Sequence, residues 1–386
     1  MANVVILQRV VPPYRMPLFR RLWEEFGWTV AFGKNLSADG IPVEHDAPFL
    51  HGYNFRRGPG GIIRVPISKI LADLKPDAVI AEGALHLTST WELVLRREFF
   101  GSPKLFFWTI GYNPSATDEP SRPGSRQWIY PTIYRFADGC LTYGADGRDF
   151  LLPRLRGKPV FVAQNSIDMN GIRSAEAEAI ALPGRGYPEL IAVSRLTPAK
   201  EYVKLVRAFL ILLNSFPSAQ LTIVGEGPEL ETIKSASAGE LGRRIHLIGA
   251  IYDENLLAPH MKRADAFVLT GRVGLAINHA LGYGLPVICG KRGKTGPRHG
   301  SEIIHLHEGI TGYQVETSSP EAFAEKLVSL FQMTPNLRAA HDKQIRDYVA
   351  QHMSLDRMIS GFKEIESHIN NLKAKLPHAS IQARPS

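Results

Sequence analysis

Ala266-Phe-Val-Leu-Thr-Gly-Arg-Val-Gly-Leu-Ala-Ile-Asn-His-Ala-Leu-Gly-Tyr-Gly-Leu-Pro-Val-Ile-Cys289 is the stretch on which the fold class turns. Ala266–Thr270 reads as a buried strand. Gly271 and Gly274 then form a glycine-rich bend, and a short helix begins at about Leu275. Gly284 and Pro286 stop that helix, and Val287-Ile-Cys289 is the next strand. Strand, loop, helix, stop and strand thus follow one another within about twenty-five residues. A helix entered through glycines leaves backbone N–H groups unpaired at the positive end of its dipole, which suits phosphate.

The totals set the frame around this stretch. A chain of 386 residues exceeds what one core usually organises, so two domains are expected. With 44% hydrophobic and 21% charged residues it has the composition of a soluble globular protein. No apolar run reaches the roughly 18 residues that a membrane span needs. Met1-Ala-Asn-Val-Val-Ile-Leu7 lacks the basic flank of a signal peptide and reads as a first strand, so a cytoplasmic location is expected. Cys140 and Cys289 stand in apolar settings as buried thiols, not as a disulfide, a metal site or a nucleophile. The net charge of +8 is compatible with anionic ligands or an anionic membrane face. No zinc-finger spacing, RNA-binding sheet motif or basic helix with interleaved aromatics accompanies it, so no nucleic-acid partner is expected. Arg15, Arg20 and Arg21 beside Leu18, Phe19 and Trp23 could rest on anionic lipid at the inner face of the membrane. The plainer reading packs that helix on the sheet.

Outward from the opening stretch, strands alternate with helices of about ten residues over both halves of the chain, the pattern of parallel sheets covered on two faces. The fold class is therefore α/β, with two doubly wound, Rossmann-like domains. Residues 1–170 form the N-terminal domain, expected on the acceptor side. Residues 171–188, small, polar and rich in Pro and Gly, read as a linker. Residues 189–351 form the C-terminal domain, 352–375 a further helical segment, and 376–386 a disordered tail. The loop from Gly111 to Gly124 has no periodicity and is expected to be mobile. In open parallel sheets ligands sit at the carboxyl ends of strands, which makes Glu82 and His86 candidates in the first half.

In the second half three pieces fall at strand ends. They are Ser194-Arg-Leu-Thr-Pro-Ala-Lys-Glu201, Val224-Gly-Glu-Gly-Pro228 and the opening stretch. Arg195 and Lys200 beside a helix start approached through glycines form a site for a diphosphate. The run from Lys291 to Arg298 adds four cations and no acid, for donor phosphate or an anionic acceptor headgroup, or as an exposed loop.

Arg-Leu-x-x-x-Lys, Val-Gly-x-Gly-Pro and Gly-Leu-x8-Gly-x-Pro-Val-Ile in this order resemble the family 4 glycosyltransferases of the GT-B fold, strongly over about 190–330 and in layout before that. The resemblance implies two domains facing across a cleft, with the last helix, about 355–374, crossing back to the first domain. It implies a retaining, metal-independent transfer from a nucleotide-sugar to a hydroxyl, on a lipid-linked or growing glycan, with no cofactor beyond the donor. Arg195 and Lys200 would hold the donor diphosphate. Gly274 and Leu275 would meet the phosphate, Gly225, Gly227 and the stretch Tyr252–Leu257 would lie near the base, and Glu302 matches the acid of a Pro-Glu-Ile-type segment.

The family's Glu-x7-Glu pair is replaced here by Gly271 and His279, as in a bacterial polysaccharide branch with His in the second place. Imidazole can accept from a ribose hydroxyl or, protonated, donate to phosphate, and it can equally be a buried structural histidine. Two alternatives follow from the missing acids. One is a nucleotide-sugar 2-epimerase, and the other is a non-catalytic subunit that binds sugar-nucleotide or glycan.

Overall fold

The computed structural model describes residues 2–36, 46–112, 129–237, 239–291 and 299–374. In chain order the first part contains β1 (Val4–Gln8), α1 (Met16–Phe26), β2 (Thr29–Gly33) and β3 (Leu50–Tyr53). A small antiparallel pair follows, β4 (Arg56–Arg57) and β5 (Ile63–Arg64), then α2 (Ile67–Leu74), β6 (Ala78–Glu82) and α3 (Thr88–Phe100). After these come β7 (Lys104–Thr109), α4 (Ile129–Tyr134), β8 (Gly139–Thr142), α5 (Ala145–Leu151) and β9 (Val160–Val162). The second part opens with α6 (Met169–Glu178), β10 (Glu189–Val193), α7 (Tyr202–Leu212), β11 (Gln220–Val224) and α8 (Leu230–Ala236). It continues with β12 (Ile245–Leu247), α9 (Glu254–Arg263), β13 (Ala266–Leu269), α10 (Ala276–Gly282) and β14 (Val287–Gly290). It closes with β15 (Gly312–Val315), α11 (Pro320–Met333) and α12 (Leu337–His352), after which α13 (Leu355–Ala374) ends the described chain.

Two compact units emerge. Among described residues the first takes those up to 112, 129–164 and 356–374, and the second takes 165–237, 239–291 and 299–355. The first unit holds seven parallel strands in the order β3-β2-β1-β6-β7-β8-β9. The second holds six parallel strands in the order β12-β11-β10-β13-β14-β15. The central strands are buried along their length, as all-apolar runs such as Ala266-Phe-Val-Leu269 require when helices cover both faces. In each sheet the strand order reverses once, between β1 and β6 and between β10 and β13. A reversal of this kind opens a crevice at the strands' carboxyl ends.

The linker expected over 171–188 differs from the structure. Its first part is α6, and the boundary between units falls at 164/165. Ala and Glu are strong helix formers, and Asp168 caps the helix by accepting from the N–H of Asn170 at 3.1 Å. Met169, Ile172 and Ala175 give α6 a buried face, and Met169 and Ile172 press on Gly282 of α10. Most of the loop expected to be mobile and the tail 376–386 lie outside the described residues. In the first unit α13 lays Met358, Ile359, Phe362, Ile365 and Ile369 into the core, and its Glu366 accepts from Trp28 Nε1 at 3.0 Å. Helix α1 buries Leu18, Phe19 and Leu22 on the sheet. Of the two readings of this segment the plainer one holds for Arg15, which is buried with its guanidinium 5.2 Å from the Trp108 ring, where stacking on indole offsets the lost hydration.

Candidate functional site

The reversal between β10 and β13 brings two chain segments together. After β10 the chain runs through Ser194 and Arg195 into a single 3-10 turn, Pro198–Lys200. Gly271 N donates to the Lys200 carbonyl at 3.1 Å, Arg272 N to that of Ala199 at 2.8 Å, and Thr270 Oγ1 to that of Glu201 at 2.8 Å. A Cβ at residue 271 would overlap the Lys200 carbonyl, so only glycine lets the turn approach this closely. The absence of an acid at 271 is thus built into the packing of the site.

Lys200 Nζ donates to the Arg272 carbonyl at 2.7 Å. Burial pushes its amine down to about 8, the charges of Arg272 and Arg195 push the same way, and Glu302 opposes them. Gly274 follows at the entrance to α10. Glu302 is buried, its Oε2 would lie 3.6 Å from a Cβ on Gly274, and its Oε1 accepts from Asn165 Nδ2. The Asn165 carbonyl accepts in turn from Asn278 Nδ2 at 2.9 Å. His299 accepts the Val273 N–H on Nδ1 at 3.2 Å and donates from Nε2 to the Gly290 carbonyl at 2.8 Å, which pins the loop before Gly274. Helix α10 is only seven residues long, so the cations contribute more of the positive potential than its dipole does.

The other expected residues fall around this cluster. Gly225 and Gly227, both at φ 154°, lie against the carbonyls of Ser194 and Leu196, and Leu196 N donates to the Glu226 carbonyl at 2.8 Å. Their first duty is to hold the segment that carries Arg195. Leu275 caps the start of α10. His279, read from the sequence either as a donor contact or as a structural histidine, faces a carboxylate. Its Nε2 lies 2.8 and 2.9 Å from the two carboxylate oxygens of Glu254 at the start of α9, and the Tyr283 hydroxyl donates to the same carboxylate. A carboxylate only accepts, so Nε2 carries a proton and is engaged as a donor. Burial alone would raise Glu254, but His279 and then Tyr283 hold it below the usual carboxylate range.

Sequence reasoning missed Asn165 and His299, and it reached Glu254 only as part of Tyr252–Leu257, the stretch that the resemblance puts near the base. They lie outside the contiguous motif, and only the fold brings them to it. Of the run from Lys291 to Arg298, only Lys291 lies within the described residues, 3.6 Å from Glu316. Among those residues no group of three or more His, Cys, Asp or Glu side chains is placed to hold a metal ion.

In the first unit the sheet reversal carries Glu82 at the end of β6. Its carboxylate accepts from both the backbone N–H and Nε of Arg9, at 2.8 Å each, so it enters any ligand contact already paired. His86 is exposed nearby. Partial burial and the Arg9 charge lower its pKa, with Glu82 opposing.

Residues 187–333 match the family model described as glycosyl transferases group 1. The chain is 21% identical over 242 residues to an uncharacterized glycosyltransferase of Methanocaldococcus jannaschii, covering 62% of this chain and 60% of that protein. It is 34% identical over 118 residues to a GDP-mannose-dependent alpha-(1-6)-phosphatidylinositol monomannoside mannosyltransferase of Mycolicibacterium smegmatis, covering 28% of this chain and 30% of that one. These matches span less than two thirds of either relative. A crystal structure of a glycosyltransferase from Rickettsia africae superposes with a TM-score of 0.69 at 17% identity, over 96% of this chain and 99% of that one. The fold is GT-B, and the segment carrying the cation cluster is the one that matches the group 1 model.

Proposed function

We propose that this protein is a retaining glycosyltransferase of the family 4 type. It would move a sugar from a nucleotide-sugar to a hydroxyl of a glycan or lipid-linked acceptor, at the cytoplasmic face of an anionic membrane. The observation that carries this reading is the convergence of Lys200, Arg195, Arg272 and Gly274 at the sheet reversal of the matched segment. Three cations round a glycine-bordered helix start favour a diphosphate, and most strongly when its charge grows on leaving. In the reaction the bond from the anomeric carbon to the diphosphate breaks and a bond to the acceptor oxygen forms on the same face. The acceptor proton passes to the departing phosphate oxygen, so this chain need supply no general base. The mycobacterial relative, by its name, uses GDP-mannose and a lipid acceptor, which agrees with this substrate class.

Glu254 takes the place of the acid missing from the motif. It lies against His279, on the second turn of the helix that starts just after Gly274, as a ribose lies beyond its diphosphate. Held by His279 and Tyr283, its carboxylate would accept from ribose hydroxyls, with His279 as the positioning residue. Glu302 would orient the Gly274 loop, and Glu82 with His86 would stand on the acceptor side. Nucleotide release from UDP-, GDP- and TDP-sugars, with and without acceptor lipid, tests the assignment. Acceptor-dependent release with sugar on the lipid supports it. Interconversion of sugars without release would instead make the protein an epimerase, and donor binding without turnover would make it a binding subunit.

A further inference from the structure

Helix α3 is apolar on two sides. Ser89, Thr90, Leu93 and Val94 face the interior. On another face Trp91, Leu95 and Phe99 recur four residues apart and are 48%, 56% and 76% exposed, and Phe100 ends the helix at 76%. That spacing puts the first three on one line along the helix. Scattered apolar residues on a surface are ordinary, whereas an aligned row with two aromatics marks a surface that meets something. The helix is firmly seated. Arg97 donates from Nε and Nη2 to buried Asp138 at 2.6 Å each, and Asp138 also accepts from Leu105 N at 2.9 Å. Trp91 Nε1 donates to the Leu85 carbonyl at 3.0 Å, so the ring's only donor is satisfied from within the protein.

The neighbouring surface is cationic. Residues 47–72 contain Arg56, Arg57, Arg64 and Lys69 and no Asp or Glu, and all four cations are exposed. The β4–β5 pair and α2 lie against α3. Ile63 N donates to the His86 carbonyl and Val65 N to Thr88 Oγ1, both at 2.9 Å, and Arg96 Nη2 donates to Ser68 Oγ at 2.7 Å. Of the acids on α3, Glu92 is paired with Arg96 at 3.1 Å and Glu98 acts on the charge of Arg97. A row of exposed hydrocarbon beside exposed arginines is complementary to a lipid surface, with phosphate outside and acyl chains beneath.

We propose that the α3 row and the β4–β5 arginines dock this unit on an anionic lipid bilayer, the row entering the headgroup boundary and the arginines meeting lipid phosphates. This gives a location to the membrane contact proposed above, and it is tested without donor or transfer. Flotation of the full chain is measured with vesicles of phosphatidylcholine alone, and with about a third phosphatidylglycerol added to supply the surface charge. The protein should float with the anionic vesicles and stay down with the neutral ones. Leu95→Gln with Phe99→Gln should abolish flotation. Arg56→Gln with Arg57→Gln should weaken it roughly twentyfold, and added salt should weaken it as well. These surface variants should keep the parent melting temperature and release nucleotide normally with a soluble acceptor. Flotation that ignores lipid charge, its absence from the parent, or unchanged flotation of the variants would overturn the proposal. So would a parent that light scattering finds dimeric and a Leu95/Phe99 variant that is monomeric, which would make the row a self-association contact.

Discussion

Gly271 shows how a residue that reads as a loss can be a requirement. From the sequence it is a missing carboxylate, while in the structure its lack of a side chain admits the Pro198–Lys200 turn against β13. Restoring the acid with Gly271→Glu should therefore reduce activity, not raise it. It should also destabilise the second unit by about 3 kcal/mol through overpacking, read by thermal unfolding. Lys200 was legible as a cation at a strand end, but its depressed amine was not, since that comes from burial beside Arg272 and Arg195. The sign follows directly. Below about 8 the free protein carries a charged Lys200 able to meet a diphosphate, and above that value the charge is lost. The donor kcat/KM should fall as pH rises through about 8, and Lys200→Arg should remove that limb because guanidinium does not titrate there. Lys200→Ala should lower kcat by roughly 100- to 1,000-fold, as losing one group that stabilises developing charge does elsewhere. Near-normal turnover in that variant would remove the assignment of Lys200.

The strand and helix order was legible because all-apolar strands and amphipathic helices alternate so regularly. What stayed hidden was how elements clasp one another. Helix α6 passed for a linker because its Ala-Glu-Ala-Glu run has too few apolar residues to show a period, although the Asp168 cap was there to be read. The clasp of α9 on α10 joins Glu254 to His279 and Tyr283, 25 and 29 residues apart in sequence, and no local pattern announces such a contact. Its worth is measurable. Tyr283→Phe removes a hydrogen bond to a charged group and should destabilise by about 2 kcal/mol. Glu254 is held below its ordinary pKa, so its stabilisation is present above the unfolded value and is lost as pH falls through the folded one. Glu254→Gln should flatten the acid side of the stability profile accordingly. If the carboxylate also accepts from ribose, the same variant should raise the donor KM more than it lowers kcat. A loss confined to kcat would leave Glu254 a structural residue alone.

At the scale of the whole molecule each unit is a parallel sheet with its own core, yet the first unit is assembled from stretches far apart in the chain. The alternating pattern of residues 1–170 reads as a domain in itself, and only the family resemblance, not the pattern, implies that the last helix is needed there. The structure shows why it is. Phe362 of α13 lies edge-on to both Trp28 and Trp108, with ring centroids 6.0 and 5.2 Å away, and Glu366 takes the Trp28 indole N–H. Asn370 accepts from Ala2 N at 3.1 Å beside the start of β1, and Lys373 pairs with Asp77 at 2.7 Å. The helix also meets β9 so closely that a Cβ on Gly361 would strike the Val162 carbonyl, which accounts for a glycine in mid-helix. Removing α13 would leave two tryptophans and a row of core apolar side chains facing water, a loss of several kcal/mol for each large side chain uncovered. A chain ending at residue 354 should therefore show red-shifted tryptophan fluorescence and rapid proteolysis within the first 164 residues. The second unit owns its sheet and cation cluster without α13, so it should resist cleavage and still bind a nucleoside diphosphate. Equal protease resistance of both units in the shortened chain would mean that the first core closes without its last helix.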